Sequence, residues 1–392
     1  MSSPSQVQDR GHGARLSGLH SRVATVATAL PPHRYAQRQI TDTFAGVVGL
    51  DGPGEVALLR RVHDNAGVAT RHLALPLSRY ADLGGFTAAN EEYVRVATDL
   101  AADALDSALA ASGLSAHEVD AVITATVTGL AVPSIDARLV SRCGLRPDVK
   151  RLPLVGLGCV AGAAGVARSH DYLVGHPHGV VALVCVELCS LTVQTDDRST
   201  ANLVASGLFG DGAAAVLLVG EAHPLAGGPQ GGGGRGGRGG SGEAPAGGLA
   251  VVASRSTFYP DTERAMGFDV GAHGMRVVLD AAVPDLVRAH LREDVDGFLA
   301  DRGLSRADIG FYVAHPGGPK VLDALADALE VDASSFKVTW DSLREVGNMS
   351  SVSVLHVLEQ TLATAAPAPG NLGVLLAMGP GFCSELVLLE AS

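Results

Sequence analysis

The stretch Val155-Gly156-Leu157-Gly158-Cys159-Val160-Ala161-Gly162-Ala163-Ala164-Gly165 joins an apolar segment typical of a β-strand to a run of small residues typical of a buried helix. Cys159 stands where the strand pattern changes into the helix pattern. At the N-terminal end of a helix, the helix dipole stabilises a thiolate and lowers the pKa of the thiol. The stretch therefore predicts a reactive cysteine, although a buried cysteine that only packs as a small hydrophobic residue also fits.

Two later segments place polar side chains next to apolar elements. In Phe311–Pro319, an apolar strand pattern leads to His315 just before a turn of proline and glycine. In Val346–Ser351, Asn348 precedes an apolar run typical of a buried helix. A cysteine that forms acyl bonds needs a base and oxyanion donors, which histidine and asparagine supply. Each residue also fits a structural role, as a core histidine and as a helix cap.

Cysteine, histidine and asparagine in this order and in these contexts resemble the triad of type III polyketide synthases, the chalcone synthase family. The resemblance covers most of the chain and includes the motifs Gly207–Ala215, Ala314–Gly318, Gly347–Ser351 and Gly379–Phe382. It implies that Cys159 carries the acyl group and reacts as a thiolate beside a protonated His315. It further implies that Asn348 joins His315 in stabilising an enolate, and that Phe209 is the aromatic ring beside the cysteine. Phe209 also fits a plain core position.

The same resemblance assigns further residues to substrate binding. Arg61 falls among the cations that bind the CoA phosphates, in a basic region that also contains Arg60, Arg71 and His72. Val132 falls in the loop that dimers of the family extend into the neighbouring subunit. The remaining assigned positions are Cys189, Thr192, Val277, Gly317, Gly318, Gly379, Pro380 and Gly381. Taken alone, the arginines also fit a solvated helix face, and the loop residue fits an ordinary turn.

The resemblance implies an enzyme that loads an acyl-CoA starter on Cys159, extends it by decarboxylative condensation with malonyl-CoA, and cyclises the product. The segment Ala377–Leu386 is more similar to bacterial alkylresorcinol and alkylpyrone synthases than to bacterial naphthalene synthases. Val277 is small where plant members carry a bulky aromatic residue. These features favour a fatty acyl-CoA starter. Alternatives are a ketoacyl-synthase III type enzyme, a cysteine–histidine–asparagine thioester hydrolase, and a noncatalytic partner subunit.

Composition and charge narrow the class of protein. The 392 residues exceed the usual size of a single core, and no apolar stretch of about 18 residues predicts a membrane span. Residues 1–21 are polar, which predicts a disordered tail, no export signal and a cytoplasmic protein. Five dispersed cysteines predict no disulfide framework, and we expect no metal site and no cofactor. A net charge of −12 argues against a nucleic-acid partner.

Helical and strand patterns alternate along the chain, which predicts α/β layers. A glycine-rich stretch, residues 226–248, predicts a flexible insert between an N-terminal half, residues 22–225, and a C-terminal half, residues 249–392. Both halves end with a glycine turn before an apolar strand, which suggests an internal duplication. The family resemblance implies a thiolase-like αβαβα fold of two related halves, with the site between them and with a homodimer as the assembly.

Overall fold

A computed structural model describes residues 19–227, 248–271 and 274–392. The α-helices within these residues are α1 (Gln37–Val47), α2 (Pro53–Asp64), α3 (Phe86–Ser112), α4 (Ile135–Arg142), α5 (Ala161–Val174), α6 (Thr200–Leu208), α7 (Val283–Ala300), α8 (Pro319–Leu329), α9 (Lys337–Val346) and α10 (Ser351–Thr364). The strands are β1 (Ser21–Ala29), β2 (His33–Ala36), β3 (Thr70–Leu73), β4 (Ala121–Thr126), β5 (Lys150–Val155), β6 (Val180–Leu188), β7 (Asp211–Gly220), β8 (Leu249–Phe258), β9 (Met266–Gly271), β10 (Gly274–Leu279), β11 (Ile309–Ala314), β12 (Leu372–Gly379) and β13 (Cys383–Ala391).

Two of the predicted segments fall mainly outside the described residues. Of the predicted tail, residues 1–18 lie outside them, while Ser21 is buried at the start of β1 and its hydroxyl hydrogen-bonds to His170 Nδ1 at 3.0 Å. Of the predicted glycine-rich insert, residues 228–247 lie outside them. The first residue of that insert, Ala226, ends a short 3-10 helix. Strand β1 therefore begins at Ser21, the last residue of the predicted tail.

A mixed sheet of the order β11-β12-β13-β8-β1-β7-β6-β4-β5 runs through the described part of the molecule. In the N-terminal half, β4 is parallel to β6, which is antiparallel to β7, which is antiparallel to β1. In the C-terminal half, β11 is parallel to β12, β12 is antiparallel to β13, and β13 is antiparallel to β8. The two halves thus repeat one strand order and one set of strand directions, as an internal duplication requires.

The helices complete a layered α/β fold. Helix α3 packs on β7, β1 and β6, while α5 and α10 pack against each other and against strands of both halves. Helices α7 and α8 cover the far side of the C-terminal half, where α7 contacts β13. Strands β6 and β7 are buried along their whole length, since helices cover both faces. The α/β fold class predicted from the sequence is confirmed.

The contact between α5 and α10 holds the two halves together and leaves no room for a side chain at Gly162. A Cβ there would lie 2.3 Å from the backbone oxygen of Ser351 and 2.6 Å from Val354 Cγ1. We expect Gly162→Ala to lower the free energy of unfolding by about 2 kcal/mol, because an overpacked core must shift. Urea unfolding checks this value. Gly175→Ala, where the nearest atom lies at 3.5 Å, is the matched control, and an equal loss in both variants would contradict the explanation.

No helix within the described ranges is both long enough and apolar enough to cross a bilayer.

Candidate active site

Cys159 lies in the 3-10 turn Gly158–Val160 that leads directly into α5. The turn follows β5, as the sequence pattern predicts, and Gly158 has a φ of 54°, which favours glycine. The side chain of Cys159 is buried. The turn therefore places the sulfur at the N-terminal end of a helix that lies between the two sheet halves.

His315 follows the last residue of β11, and its backbone N–H donates to the carbonyl of Leu376 on β12 at 2.9 Å. The imidazole is buried, and neither Nδ1 nor Nε2 has a hydrogen-bond partner within the described part of the chain. Buried polar atoms normally have a hydrogen-bond partner. Two ring nitrogens without one therefore indicate that the imidazole forms hydrogen bonds with a bound ligand.

Asn348 lies between α9 and α10, where its side chain is held in one orientation. The backbone N–H of Ser350 donates to Asn348 Oδ1 at 2.8 Å, which leaves the amide Nδ2 group as the available donor. Ser350 has a φ of 50°, a conformation that few non-glycine residues adopt. The strained residue thereby fixes the direction in which Asn348 presents its N–H groups.

A backbone bridge joins Phe209 to Asn348 and therefore links the two halves. The N–H of Asn348 donates to the carbonyl of Leu208, and the N–H of Gly210 donates to the carbonyl of Asn348, both at 2.9 Å. Phe209 follows α6 and lines the same small cavity as Cys159, His315 and Asn348. The structure thus brings the four predicted catalytic residues together.

Burial opposes the charged forms, the thiolate and the imidazolium, that are expected from the sequence. Burial raises the pKa of Cys159 to about 12, with a further rise from the charge of Glu187, while hydrogen bonds from Ser350 and Asn348 lower it in part. Burial lowers the pKa of His315 to about 3. Desolvation therefore favours the neutral thiol and the neutral imidazole over the charged pair. This effect of burial acts against the lowering of the pKa of Cys159 that the helix dipole predicts.

These pKa values predict how Cys159 responds to pH in an alkylation experiment. Since the thiolate is the reactive form, we expect the rate of alkylation by iodoacetamide to rise about tenfold per pH unit from pH ~7 to ~10. Peptide mass spectrometry follows Cys159, with the half-buried Cys383 as an internal control. A plateau below about pH 8 would instead show the thiolate and imidazolium pair.

A larger cavity opens from the other side of Cys159. Its wall includes the predicted pocket residues Cys189, Thr192, Val277 and Pro380, together with Phe209. Gly317 lines the small cavity near His315. The remaining wall is mostly apolar and comes from α1, β9, β10 and the helical turn after β6, with Ile40, Phe44, Val47, Val193, Phe268 and Leu279 among its residues. An acyl chain on Cys159 can therefore extend into this cavity.

Several predicted residues lie outside both cavities. Gly379 packs against the turn of the cysteine, since an added Cβ would lie 2.7 Å from the backbone nitrogen of Val160. Gly318 caps the start of α8, and Gly381 lies beside Phe258. These three glycines have structural roles in the described chain: they allow close backbone packing or unusual backbone angles.

The basic region and the loop of Val132 are at the surface. Arg61 lies on α2 in an exposed groove shared with Arg60, and Arg60 forms an ion pair with Asp42 at 3.2 Å. Arg71 does not belong to this surface, because it is buried in the interior. The basic region of the sequence is therefore divided, with Arg60 and Arg61 at the surface and Arg71 in the interior. Val132 is 98% exposed and does not reach the cavity of its own chain.

Sequence reasoning missed a buried carboxylate at Glu187, on β6. It accepts hydrogen bonds from the N–H of Val127 at 3.0 Å, from the hydroxyl of Thr128 at 2.8 Å and from the hydroxyl of Ser351 at 2.7 Å. Burial raises the pKa of Glu187. A charged residue within the apolar run Val180–Leu188 was the available signal, because buried carboxylates are rare without a purpose.

The described ranges contain no cluster of histidine, cysteine, aspartate or glutamate with the geometry of a metal site. A buried cysteine, a histidine with free ring nitrogens and an oriented amide, placed at the mouth of an apolar cavity, define an enzyme that forms and breaks thioesters and stabilises an enolate.

Comparison with known proteins agrees with this class. Residues 11–223 match the model of the N-terminal domain of chalcone and stilbene synthases, and residues 250–392 match the model of the C-terminal domain. The chain is therefore a member of the chalcone and stilbene synthase family, the type III polyketide synthases. These enzymes are decarboxylative condensing acyltransferases with a thiolase-like fold.

Individual relatives are similar along nearly the whole chain. A 1,3,6,8-tetrahydroxynaphthalene synthase from Streptomyces peucetius is 53% identical over 368 residues, which cover 94% of this chain and 92% of the relative. The alpha-pyrone synthesis polyketide synthase-like Pks18 from Mycobacterium tuberculosis is 30% identical, over 93% of this chain and 90% of the relative. The crystal structure of a tetrahydroxynaphthalene synthase from Streptomyces coelicolor has a TM-score of 0.83 and 30% identity, with 94% of this chain and 99% of that chain covered.

Proposed function

We propose that this type III polyketide synthase uses malonyl-CoA both as starter and as extender and forms a polyhydroxylated naphthalene. The 53% identity to a tetrahydroxynaphthalene synthase over almost the whole chain is the observation that carries this proposal. A naphthalene of this kind needs only carbon pairs derived from malonyl groups. No separate starter is then required.

In the proposed loading step, the sulfur of Cys159 attacks the carbonyl of an acyl-CoA. His315 accepts the thiol proton, since its ring nitrogens have no partner among the described residues and burial favours its neutral form. The bond from the carbonyl carbon to the CoA sulfur breaks, and the proton returns from His315 to the leaving CoA thiolate. The acyl group is then held as a thioester on Cys159.

In the proposed extension step, malonyl-CoA loses carbon dioxide and becomes an enolate. The N–H of His315 and the Nδ2 group of Asn348 donate to the enolate oxygen, as an oxyanion hole does. The enolate carbon then bonds to the acyl carbon on Cys159, and the bond to sulfur breaks. Because asparagine is neutral, it stabilises the enolate without a competing charge. The apolar ring of Phe209 disfavours the malonyl carboxylate and so promotes its loss.

A fatty acyl-CoA starter with an alkylpyrone or alkylresorcinol product is the second candidate. The apolar wall that Ile40, Phe44 and Val47 form away from Cys159 favours it, since this wall can bury an alkyl chain. The small residue Val277 on that cavity supports it as well. The sequence identity to the tetrahydroxynaphthalene synthase supports the first candidate. The two candidates differ in their starter, so identification of the starter distinguishes them.

The proposal is tested by mass spectrometry of the products from the purified protein. Malonyl-CoA alone is expected to give a naphthalene product, and addition of acyl-CoA starters of increasing length is expected to add only minor products. Chain growth that requires an added fatty acyl-CoA would overturn the malonyl starter and favour the alkyl candidate. Release of free acid from an acyl-CoA without malonyl-CoA would indicate a hydrolase.

We also propose a homodimer in which the exposed Val132 enters the cavity of the partner. Its side chain is 98% exposed at the tip of the loop between β4 and α4, and Leu130 of the same loop is 50% exposed, so the loop presents more than one apolar side chain to solvent. Light scattering is expected to show a dimer, and Val132→Glu is expected to weaken it. A monomeric parent protein would contradict this. The cytoplasmic location and the boundaries of the halves stay predictions.

A further inference from the structure

Arg71 on β3 is 2% exposed, and the charge of the buried Asp211 raises its pKa against the larger lowering by burial. Its Nε donates to Gln37 Oε1 at 3.1 Å, and its Nη1 donates to the backbone carbonyl of Phe209 at 2.6 Å. Its Nη2 is buried as well but has no hydrogen-bond partner among the residues that the structure describes. A buried donor without an acceptor costs free energy, so these N–H groups indicate a missing partner.

The guanidinium is held rigidly by the elements around it. Gln37 Nε2 donates to the carbonyl of Gly207 at 2.6 Å, so Gln37 and Arg71 together bind the C-terminal end of α6. A cation there is favoured by the helix dipole. The stem of Arg71 packs against Gly347, where an added Cβ would lie 3.0 Å from Arg71 Cδ. The Nη2 group is therefore presented in a fixed direction, next to the bridge between Phe209 and Asn348.

Arg71 lines the same cavity as Cys159 and belongs to the polar part of an otherwise apolar wall. The other polar groups there satisfy one another, since the hydroxyls of Tyr80 and Ser190 hydrogen-bond, and Asp211 accepts from Ser190 and from the N–H of Ala74. Burial lowers the pKa of Arg71 to about 10, so the guanidinium is charged at neutral pH. Arg71 thus places a positive charge in the wall of this cavity, with one N–H group that has no partner among the described residues.

We propose that Arg71 binds an oxygen of the acyl group held on Cys159. This inference rests on the proposed function, because malonyl-derived chains carry oxygens along their length, whereas an alkyl chain does not. The oxygen belongs either to the carboxylate of a malonyl starter or to a carbonyl or enolate of the growing chain. An oxygen held by Arg71 cannot attack the thioester carbon of Cys159, a step that would form a lactone and release a short pyrone.

The test compares product distributions of Arg71→Lys and Gln37→Met with the parent protein. Lysine keeps the charge and the stem but loses the forked donors, whereas Gln37→Met removes only the hydrogen bond at Nε and keeps the one from Nη1 to the carbonyl of Phe209. We expect Arg71→Lys to raise the ratio of short pyrones to full-length product about tenfold, the value of one charged hydrogen bond. Gln37→Met is expected to lower the total rate with little change in that ratio.

Two substrate arms separate the sources of the oxygen. A shift with malonyl-CoA alone, but not with hexanoyl-CoA as starter, assigns the oxygen to the starter carboxylate, and a shift in both arms assigns it to the growing chain. If Arg71→Lys and Gln37→Met reduce all products in equal proportion, Arg71 is only structural and the proposal fails. The product of the parent protein with malonyl-CoA alone tests the proposed function separately, and the hexanoyl arm stays informative if that function fails.

A measurement on the unaltered protein covers the case in which the variant does not fold. The protein is acylated on Cys159 with acetoacetyl-CoA that carries carbon-13 at the keto carbon. A downfield shift of this resonance relative to the same group on the unfolded protein is expected, since a charged donor polarises the carbonyl. The same measurement is made with malonyl-CoA that carries carbon-13 at the free carboxylate, and an unshifted resonance in both acylated proteins would overturn the proposal.

Discussion

Cys159→Ala is expected to lower polyketide formation by about 10⁴-fold or more, because every chain must be bound to this sulfur before it is extended. Decarboxylation of malonyl-CoA is expected to continue, since its proposed donors, His315 and the Nδ2 group of Asn348, do not depend on the thiol. Malonyl-CoA that loses carbon dioxide and gains a proton appears as acetyl-CoA. Liquid chromatography with mass spectrometry measures both products in one reaction.

Cys185→Ala is the matched control for this experiment. Cys185 is also a fully buried cysteine, on β6, but it does not line either cavity next to Cys159. The same loss of a sulfur in the core is expected to lower stability and to leave chain extension within about threefold of the parent, since no reacting group is removed. Polyketide formation that survives in Cys159→Ala would show that Cys159 is not the acyl carrier.

Asn348→Asp is expected to lower the rate of malonyl-CoA decarboxylation by roughly 10² to 10³-fold, the usual effect of removing one oxyanion donor. The change keeps the shape of the side chain and the oxygen that accepts from Ser350 at 2.8 Å, but replaces the donating Nδ2 group by a second oxygen. At neutral pH the new carboxylate also repels the enolate. Acetyl-CoA release under saturating malonyl-CoA measures this rate.

Asn348→Ala separates the loss of the donor from the added charge. It is expected to show a smaller loss than Asn348→Asp and to acylate Cys159 within about tenfold of the parent rate, since the proposed loading step uses His315. Acylation is followed by the mass of the intact protein, and thermal unfolding checks that both variants fold. Unchanged decarboxylation in both variants would show that Asn348 only caps α10.

The order of the elements and the position of the nucleophile were predictable because they depend on local patterns. The continuous apolar runs predict β6 and β7, and the run of small residues after Cys159 predicts the start of α5. The motifs around His315 and Asn348 carry the family resemblance, which the family models confirm. The internal duplication was visible in the sequence because both halves end with a glycine turn before an apolar strand. The strand order is the same in the two halves, which agrees with this duplication.

The pKa values of the site could not be read from the sequence. The helix dipole at Cys159 is a local property and favours a thiolate, whereas the burial that raises its pKa comes from the packing of the two halves around it. The support of Asn348 by Ser350 and the buried carboxylate of Glu187 likewise depend on contacts between separate elements.

Arg71 shows most clearly the difference between what the sequence indicates and what the tertiary structure decides. In the sequence it stands in the same basic region as Arg60 and Arg61. The tertiary structure leaves Arg61 on the surface and buries Arg71 between Gln37 and Phe209. The sequence alone determined the class of enzyme and the reacting residues to be tested, because these lie in local motifs. Only the tertiary structure decided which charges are desolvated, because desolvation depends on elements that are distant in the chain.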